Sequence, residues 1–250
     1  MTKLVSIITA AYNAEAFIEE TIASVQQQTY THWELLIVDD ASTDGTVEKI
    51  KKIAAKDARV KWYNLIQNSG PAVARNKAIE EAKGSYLAFL DADDLWFEFH
   101  LENSINTIQE TKVPFVFASY KRSNEQLEFI YSDFIVPKKV IYTDILKTNS
   151  ISCLTAFIDV QQLGKLYMPE VKKRQDMGLW LQYLKKTPYA YGIKEPHAVY
   201  RIRQNSLSRD KKKLIKSQWY FYRNVENLNP IQSLYYLLCW MYLGYKKYKN

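Results

Sequence analysis

The sequence predicts an α/β fold, a mostly parallel sheet with helices on both faces, and three observations predict it. Short apolar runs alternate with segments of helical periodicity through the first 95 residues, the pattern of successive βαβ units. Tyr12, Asp39, Asp40, Asp91 and Asp93 all fall just beyond such runs, where open α/β sheets bind their ligands. The chain has 250 residues, 47% of them hydrophobic, enough for one sizeable core.

The elements follow in order. Leu4–Ala10 reads as a buried strand, ended by Tyr12-Asn13. Ala14–Gln28 carries Phe17, Ile18, Ile22 and Val25 at helical spacing. Trp33–Val38 is a second strand, closing on Asp39-Asp40. Residues 41–45 have turn chemistry, with Asp44 placed to cap a helix over Thr46–Ala55. Val60–Leu65 is a third strand. Gly70-Pro71 opens a helix through Ala82, with Gly84 as its expected stop. Tyr86–Leu90 is a fourth strand and runs into Asp91-Ala92-Asp93-Asp94. The second half is less regular. Leu101–Glu110, Val140–Thr148 and Gln175–Lys186 read as helices. Phe115–Tyr120, Leu127–Val136, Ala156–Val160, Tyr189–Ile193 and Ala198–Arg203 read as extended. Lys211–Asn224 is a basic aromatic helix candidate; Pro230 interrupts, and Ile231–Tyr245 is apolar and aromatic.

The net charge is +7, with the lysine excess toward the C-terminus. Nucleic acid, anionic lipid and phosphorylated ligands all suit a basic chain. The two cysteines, Cys153 and Cys239, form neither a disulfide framework nor a zinc-ligand spacing, which suits a reducing compartment. The N-terminus carries no signal-peptide pattern, and no apolar run reaches the length of a membrane span.

Carboxylates bunched at Asp91, Asp93 and Asp94 repel one another. Hard oxygen ligands suit Mg²⁺ or Mn²⁺, which would also bridge a substrate diphosphate and stabilise a departing nucleotide. A solvated acidic turn, or Asp94 as a helix cap, is the plainer alternative; the position at the end of an apolar parallel strand, beside a second Asp pair, favours the metal. Asp39 and Asp40 either accept hydrogen bonds from a base or ribose or serve a turn with Ser42 to Asp44. Tyr12 either stacks on a nucleobase or packs at the sheet edge. Arg75 either meets a phosphate bidentately or lies on a solvated face.

At these residues the sequence resembles the inverting family 2 glycosyltransferases of GT-A fold, such as those of bacterial cell-surface polysaccharides. The resemblance rests on Val5–Asn13, Leu36–Thr46, Gly70–Asn76 and Gly84–Asp94, in order. It implies a Rossmann-like, mostly parallel central sheet with a C-terminal helical appendage. It implies a nucleotide site of Ala10, Tyr12, Asp39, Asp40, Arg75, Asp91 and Ala92, with Asp91 and Asp93 as the D-x-D pair that carries Mn²⁺ or Mg²⁺ and the donor diphosphate. The second half matches more sparsely. Lys173–Leu181 resembles the segment that supplies the catalytic base, which would be Asp176, the plainer alternative being a cap for the helix that ends near Lys186; many relatives have Glu-Asp where this chain has Gln175-Asp176. Ala198–Ser208 resembles the stretch that closes over the diphosphate, so Arg201 and Arg203 would supply positive charge there. His197 is either a further metal ligand, as in some relatives, or a packed residue; Trp180 belongs to the core.

The implied division is a domain over 1–210, with 1–95 as donor half and 96–210 as acceptor half, and a tail over 211–250. The implied reaction moves a sugar from a nucleotide diphosphate, UDP-hexose or UDP-N-acetylhexosamine, to a lipid-linked or saccharide acceptor in lipopolysaccharide, capsule or exopolysaccharide synthesis. Asp176 would take the acceptor proton on the face opposite the leaving group. The tail, with Trp219, Trp240, its tyrosines and flanking lysines, is expected to lie on an anionic membrane, peripheral on its cytoplasmic face; packing on the main domain or a dimer interface is the alternative. Two other functions suit a basic α/β chain less well. Sugar-phosphate nucleotidyl transfer expects a Gly-rich phosphate loop, and Ile8–Asn13 has no glycine. A basic nucleic-acid-binding protein would set clustered carboxylates against phosphates, so no nucleic-acid partner is expected.

Overall fold

The computed structural model describes residues 2–129, 131–202 and 211–249. The first half is β1 (Val5–Ala11), α1 (Ile18–Gln26), β2 (Trp33–Asp39), α2 (Thr46–Ala54), β3 (Val60–Asn64), α3 (Pro71–Glu81) and β4 (Tyr86–Phe89). The second half adds β5 (Leu95–Trp96), α4 (His100–Thr111), β6 (Phe115–Ser123), β7 (Lys139–Val140), α5 (Tyr142–Lys147), β8 (Phe157–Asp159), α6 (Val160–Leu163), α7 (Gln175–Leu184) and β9 (Ala190–Arg201). The appendage is α8 (Lys211–Tyr220), a π-helical turn at Phe221–Val225, and α9 (Pro230–Lys249).

One sheet runs in the order β3-β2-β1-β4-β8-β6-β9-β5, with β7 also on β9. The pairs β3·β2, β2·β1 and β1·β4 are parallel, as the βαβ alternation requires. Antiparallel β8 then joins β4 to β6, and β6 pairs in parallel with β9. The chain leaves β1 toward β2 on one side and returns through β4 on the other. Their shared carboxyl ends form the switch point where such sheets open a crevice.

Both sheet faces are covered, so the strands are apolar nearly throughout. Val5, Ile7, Leu35, Ile37, Ala88 and Leu90 face one core with α1 and α4. Ile8, Leu36, Val38, Leu87 and Phe89 face the other, with α3, α5 and α7. The period of two is that of a pleated strand. In the second core the buried Trp180 ring lies edge-on to Phe89 at 5.3 Å.

Three local expectations change. Among the described residues of Leu127–Val136 there is no strand, and Phe134 makes an isolated antiparallel bridge to Tyr120. Tyr189–Ile193 and Ala198–Arg203 are not separate, because β9 runs continuously past Pro196 with a register shift opposite Ser119. Gly84 does not stop a helix in a left-handed turn. It lets the backbone pass β1: a Cβ there would sit 2.6 Å from the Ser6 nitrogen and 2.7 Å from the Leu4 carbonyl oxygen.

His197 is fully buried on β9 and meets the buried His100 of α4, Nδ1 to Nδ1 at 3.2 Å. The rings pack against Trp96 and Phe99. Burial lowers the His197 pKa to about 4, and it holds His100 well below the ordinary value. Between about pH 6.5 and 4 the unfolded chain therefore binds more protons than the folded one, so stability is full above that window and falls as pH drops through it. For His197 alone the loss amounts to roughly 3 kcal/mol. Urea midpoints of wild type and His197→Asn, measured from pH 7 to pH 4, should converge. A constant gap would mean that the pair is not held neutral.

Candidate active site

A cleft of about 670 Å³ opens at the carboxyl ends of β1 and β4. Of the residues singled out from sequence, it is lined by Ala10, Tyr12, Asp40, Arg75, Asp91, Ala92, Asp93 and Arg201. Its lining also includes Asn13, Asn68 and Tyr200, which sequence reasoning did not single out. Tyr200 stood inside a quoted motif without a polar pattern to mark it. Asn13 and Asn68 were visible only as turn residues.

The nucleotide side is a set of interlocked turns. Asn13, with φ of 47°, donates its backbone N–H to Ser42 Oγ and accepts the Thr43 N–H on its own Oδ1. Asp39 is buried and accepts the Ser42 N–H at 2.9 Å, so its carboxylate serves the turn and does not line the cleft. Asp40 does line it. Its two oxygens accept the backbone N–H groups of Ser69 at 2.7 Å and Gly70 at 2.8 Å, which fixes the start of α3 against β2. Each oxygen retains capacity for a further donor. Gly70 has φ of 91°, a conformation that favours glycine, and Pro71 then begins the helix. Tyr12 is 49% exposed, so its ring is open to a ligand.

The acidic turn follows β4. Thr21 of α1 donates its hydroxyl to the carbonyls of Ala92 and Asp94, fixing the turn. Asp94 is buried, and its Oδ1 accepts the Arg201 backbone N–H at 2.9 Å. Burial, then the charges of Asp93 and Asp91, pushes its carboxyl well above the ordinary range. Asp94 therefore joins the turn to β9, while Asp91 and Asp93 face the cleft. Arg75, one helix away on α3, pairs with Asp91 Oδ1. Burial opposes the charge on Arg75, but Asp91 and other nearby groups more than offset it and raise its pKa. The solvated-face alternative for Arg75 is thus excluded.

Arg201 closes the far wall. It is 2% exposed; its Nη2 donates to Glu20 of α1, and its guanidinium lies 5.0 Å over the Phe17 ring. Its Nε and Nη1 are buried and find no partner among the described residues. A guanidinium with two unsatisfied donors beside an open cleft has capacity for an anion. Arg203 lies outside the described residues.

Asp176 occupies the first turn of α7, entered through the left-handed Arg174. Its Oδ2 accepts from Asn149 Nδ2 at 3.2 Å. Burial raises its pKa, against the Met177 backbone N–H and the charges of Arg75 and Arg174; Asp91 adds to the rise. It does not itself line the cleft, but it shares an electrostatic neighbourhood with the Arg75–Asp91 pair that does. His197, buried against His100, is not among the cleft-lining residues.

Among the described residues no group of three or more His, Cys, Asp or Glu side chains is arranged to hold a metal. Asp91 and Asp93 nevertheless fit Mn²⁺ or Mg²⁺. Such ions bind through one or two carboxylates and fill their remaining positions with substrate phosphate oxygens and water.

Residues 6–158 match the family model described as Glycosyl transferase family 2. Over 244 residues, 98% of this chain and 95% of the relative, the sequence is 41% identical to the putative teichuronic acid biosynthesis glycosyltransferase TuaG of Bacillus subtilis. Over 252 residues, 99% and 97% of the two chains, it is 38% identical to WfgD of Escherichia coli, a UDP-Glc:α-D-GlcNAc-diphosphoundecaprenol β-1,3-glucosyltransferase. The fold superposes on Staphylococcus aureus TarS 1-349 in complex with UDP-GlcNAc with a TM-score of 0.74, at 21% identity, covering 96% of this chain and 72% of that one. The nine-stranded mixed sheet with its helical flanks is thus the GT-A fold.

Proposed function

The chain belongs to glycosyl transferase family 2, and on that premise we propose that it moves a sugar from UDP, with inversion, to a lipid-linked saccharide at the inner face of the cytoplasmic membrane. Family membership supports glycosyl transfer over nucleotidyl transfer. WfgD, similar over nearly the whole chain, is named for a UDP-glucose donor, an undecaprenyl diphosphate-linked acceptor and a β-linkage. TuaG, named for teichuronic acid biosynthesis, supports a role in cell-surface polysaccharide.

The observation that carries the donor reading is the cleft at the β1/β4 switch point. A stacking ring, Tyr12, and an acceptor carboxylate, Asp40, lie on one side. Two carboxylates and a buried, under-satisfied guanidinium, Arg201, lie on the other. Tyr12 and Asp40 would hold the base, with Asp39 setting the turn behind them. Asp91 and Asp93 would hold a divalent cation, which when bound neutralises charge on the diphosphate. Arg201 Nε and Nη1 would donate to phosphate oxygens, stabilising the charge that develops on UDP. Residues 1–95 would then be the donor half, closed by Arg201 from the acceptor half.

In the transfer, the acceptor hydroxyl oxygen bonds to the anomeric carbon as the bond from that carbon to the β-phosphate oxygen breaks. The hydroxyl proton passes to Asp176, and UDP leaves from the opposite face. From an α-linked donor the product is β-linked.

Calorimetric titration of UDP with Mn²⁺ and with chelator tests this reading. Binding is expected only with metal. Preference for GDP or dTDP over UDP would overturn the UDP assignment, and nucleotide binding unaffected by chelator would overturn the metal. Arg201→Lys keeps the charge but not the planar fork, and should weaken metal-dependent UDP binding about tenfold. Unchanged affinity would remove Arg201 from the diphosphate site.

A further inference from the structure

The appendage has two apolar faces, and only one is used by the fold. On α9, Ser233 and Leu237 are buried, and Tyr236 and Trp240 pack against the main core. Ile231, Leu234, Tyr235, Leu238, Met241 and Tyr242 fall on another stripe, at helical spacing, and all are exposed: 82% for Ile231, 56% for Leu238, 66% for Tyr242. Trp219 and Tyr220 of α8 are exposed as well. A stripe of large apolar residues on a helix of 20 residues marks a surface that meets something.

The charge distribution says what. Residues 1–210 carry 26 Lys and Arg against 26 Asp and Glu, and are neutral overall; residues 211–250 carry eight Lys and Arg against one acid. The whole +7 of the chain therefore sits in the appendage. The single acid, Glu226, is buried and paired with Lys185 at 2.7 Å, with the Tyr142 hydroxyl also donating to it. The appendage thus combines an exposed apolar and aromatic stripe with the sequence's excess of lysine. A second copy of the chain would set this excess against itself. An anionic bilayer complements it, and the apolar stripe enters the headgroup boundary while tyrosine and tryptophan suit that depth. No helix among the described residues is long and apolar enough to cross a membrane.

The inner face of the appendage ties this surface to the chemistry. Trp240 lies under the Arg174 guanidinium, 5.3 Å from Cζ to the ring centroid, and Arg174 enters the turn that carries Asp176. Phe221 packs beside Gly178 of α7: a Cβ on Gly178 would sit 3.4 Å from the Phe221 ring. We propose that the outer face of α9 docks on anionic lipid and that, through Trp240, Phe221 and α7, this docking sets Asp176 at the height of a lipid-linked acceptor. The purpose rests on the acceptor reading above; the test needs neither donor nor acceptor.

The full chain is sedimented with vesicles of phosphatidylcholine alone and of phosphatidylcholine mixed with phosphatidylglycerol. Binding should be at least tenfold stronger to the anionic vesicles and should weaken as salt is raised. The double variant Leu234→Glu, Leu238→Glu should lose at least tenfold of it while keeping the wild-type circular-dichroism spectrum and thermal unfolding midpoint, which report an intact fold. In wild type, brominated anionic lipid should quench tryptophan fluorescence, a readout that survives even if the variant misfolds. Equal binding to neutral vesicles, an unimpaired folded variant, or no quenching overturns the proposal. So does a wild-type dimer in sedimentation velocity that the double variant dissociates, which would assign the stripe to a second copy.

Discussion

Asp93→Ala is expected to lower sugar transfer about a thousandfold and to abolish metal-dependent UDP binding, with the thermal unfolding midpoint nearly unchanged. The magnitude is that of removing one carboxylate from a cation that supplies several kcal/mol of charge stabilisation, with about 1.4 kcal/mol to each factor of ten. The three acids of the turn are not equivalent. Asp94 is buried and accepts the Arg201 N–H, so its loss would loosen β9 from the turn. Asp91 balances Arg75, and its removal would leave a largely buried cation unpaired. Asp93 lines the cleft and is only half-buried, and its alanine variant keeps the Thr21 and Asp94 contacts that fix the turn. Its alanine variant therefore separates metal binding from folding. Transfer assayed over a Mn²⁺ series, with melting curves alongside, checks the expectation. A variant that saturates with metal and turns over normally would place the cation elsewhere.

The parallel half of the sheet and the donor side of the cleft were legible because both depend on short-range pattern. A buried parallel strand writes itself as a continuous apolar run, and the residue that follows it is at the ligand edge by topology alone. That reasoning put Tyr12, Asp40, Asp91 and Asp93 at strand ends, and the structure brings all four to one cleft. It left Asp39 and Asp40 equivalent, although one serves the turn and the other faces the cleft. Adjacent residues at a strand end point to opposite sides, and which side is the cleft depends on where α3 begins. The pairs that close the site were not legible. Arg201 meets Glu20 across 181 positions, and no local signal marks Glu20 as anything but a helix-surface acid. The two-residue β5 and β7 are too short to carry periodicity and exist because β9 offers them an edge. His197, open to a ligand reading in the sequence, turns its Nδ1 to His100, 97 positions away, and does not line the cleft.

Asp176→Asn should leave UDP binding within about twofold of wild type and reduce transfer by about a thousandfold, within the range contributed by a positioned general base. Asparagine has nearly the same shape and keeps an oxygen for Asn149 and the Met177 N–H, so the start of α7 should survive. What it lacks is the capacity to hold the acceptor's proton. The wild-type pH profile carries a second signature. A base works only when deprotonated, and burial lifts the Asp176 carboxyl above the ordinary aspartate value. Transfer rate should therefore fall on the acidic side at a higher pH than an exposed aspartate would give, and be full above that limb. Arg75 and Arg174 counter the rise, and Arg75 is also the partner of Asp91. Single-turnover rates across pH, for wild type and Asp176→Asn on the same acceptor, decide the assignment. If the variant transfers at near wild-type rate, or keeps the acid limb on its residual activity, the proton goes to another group and Asp176 serves only to begin α7.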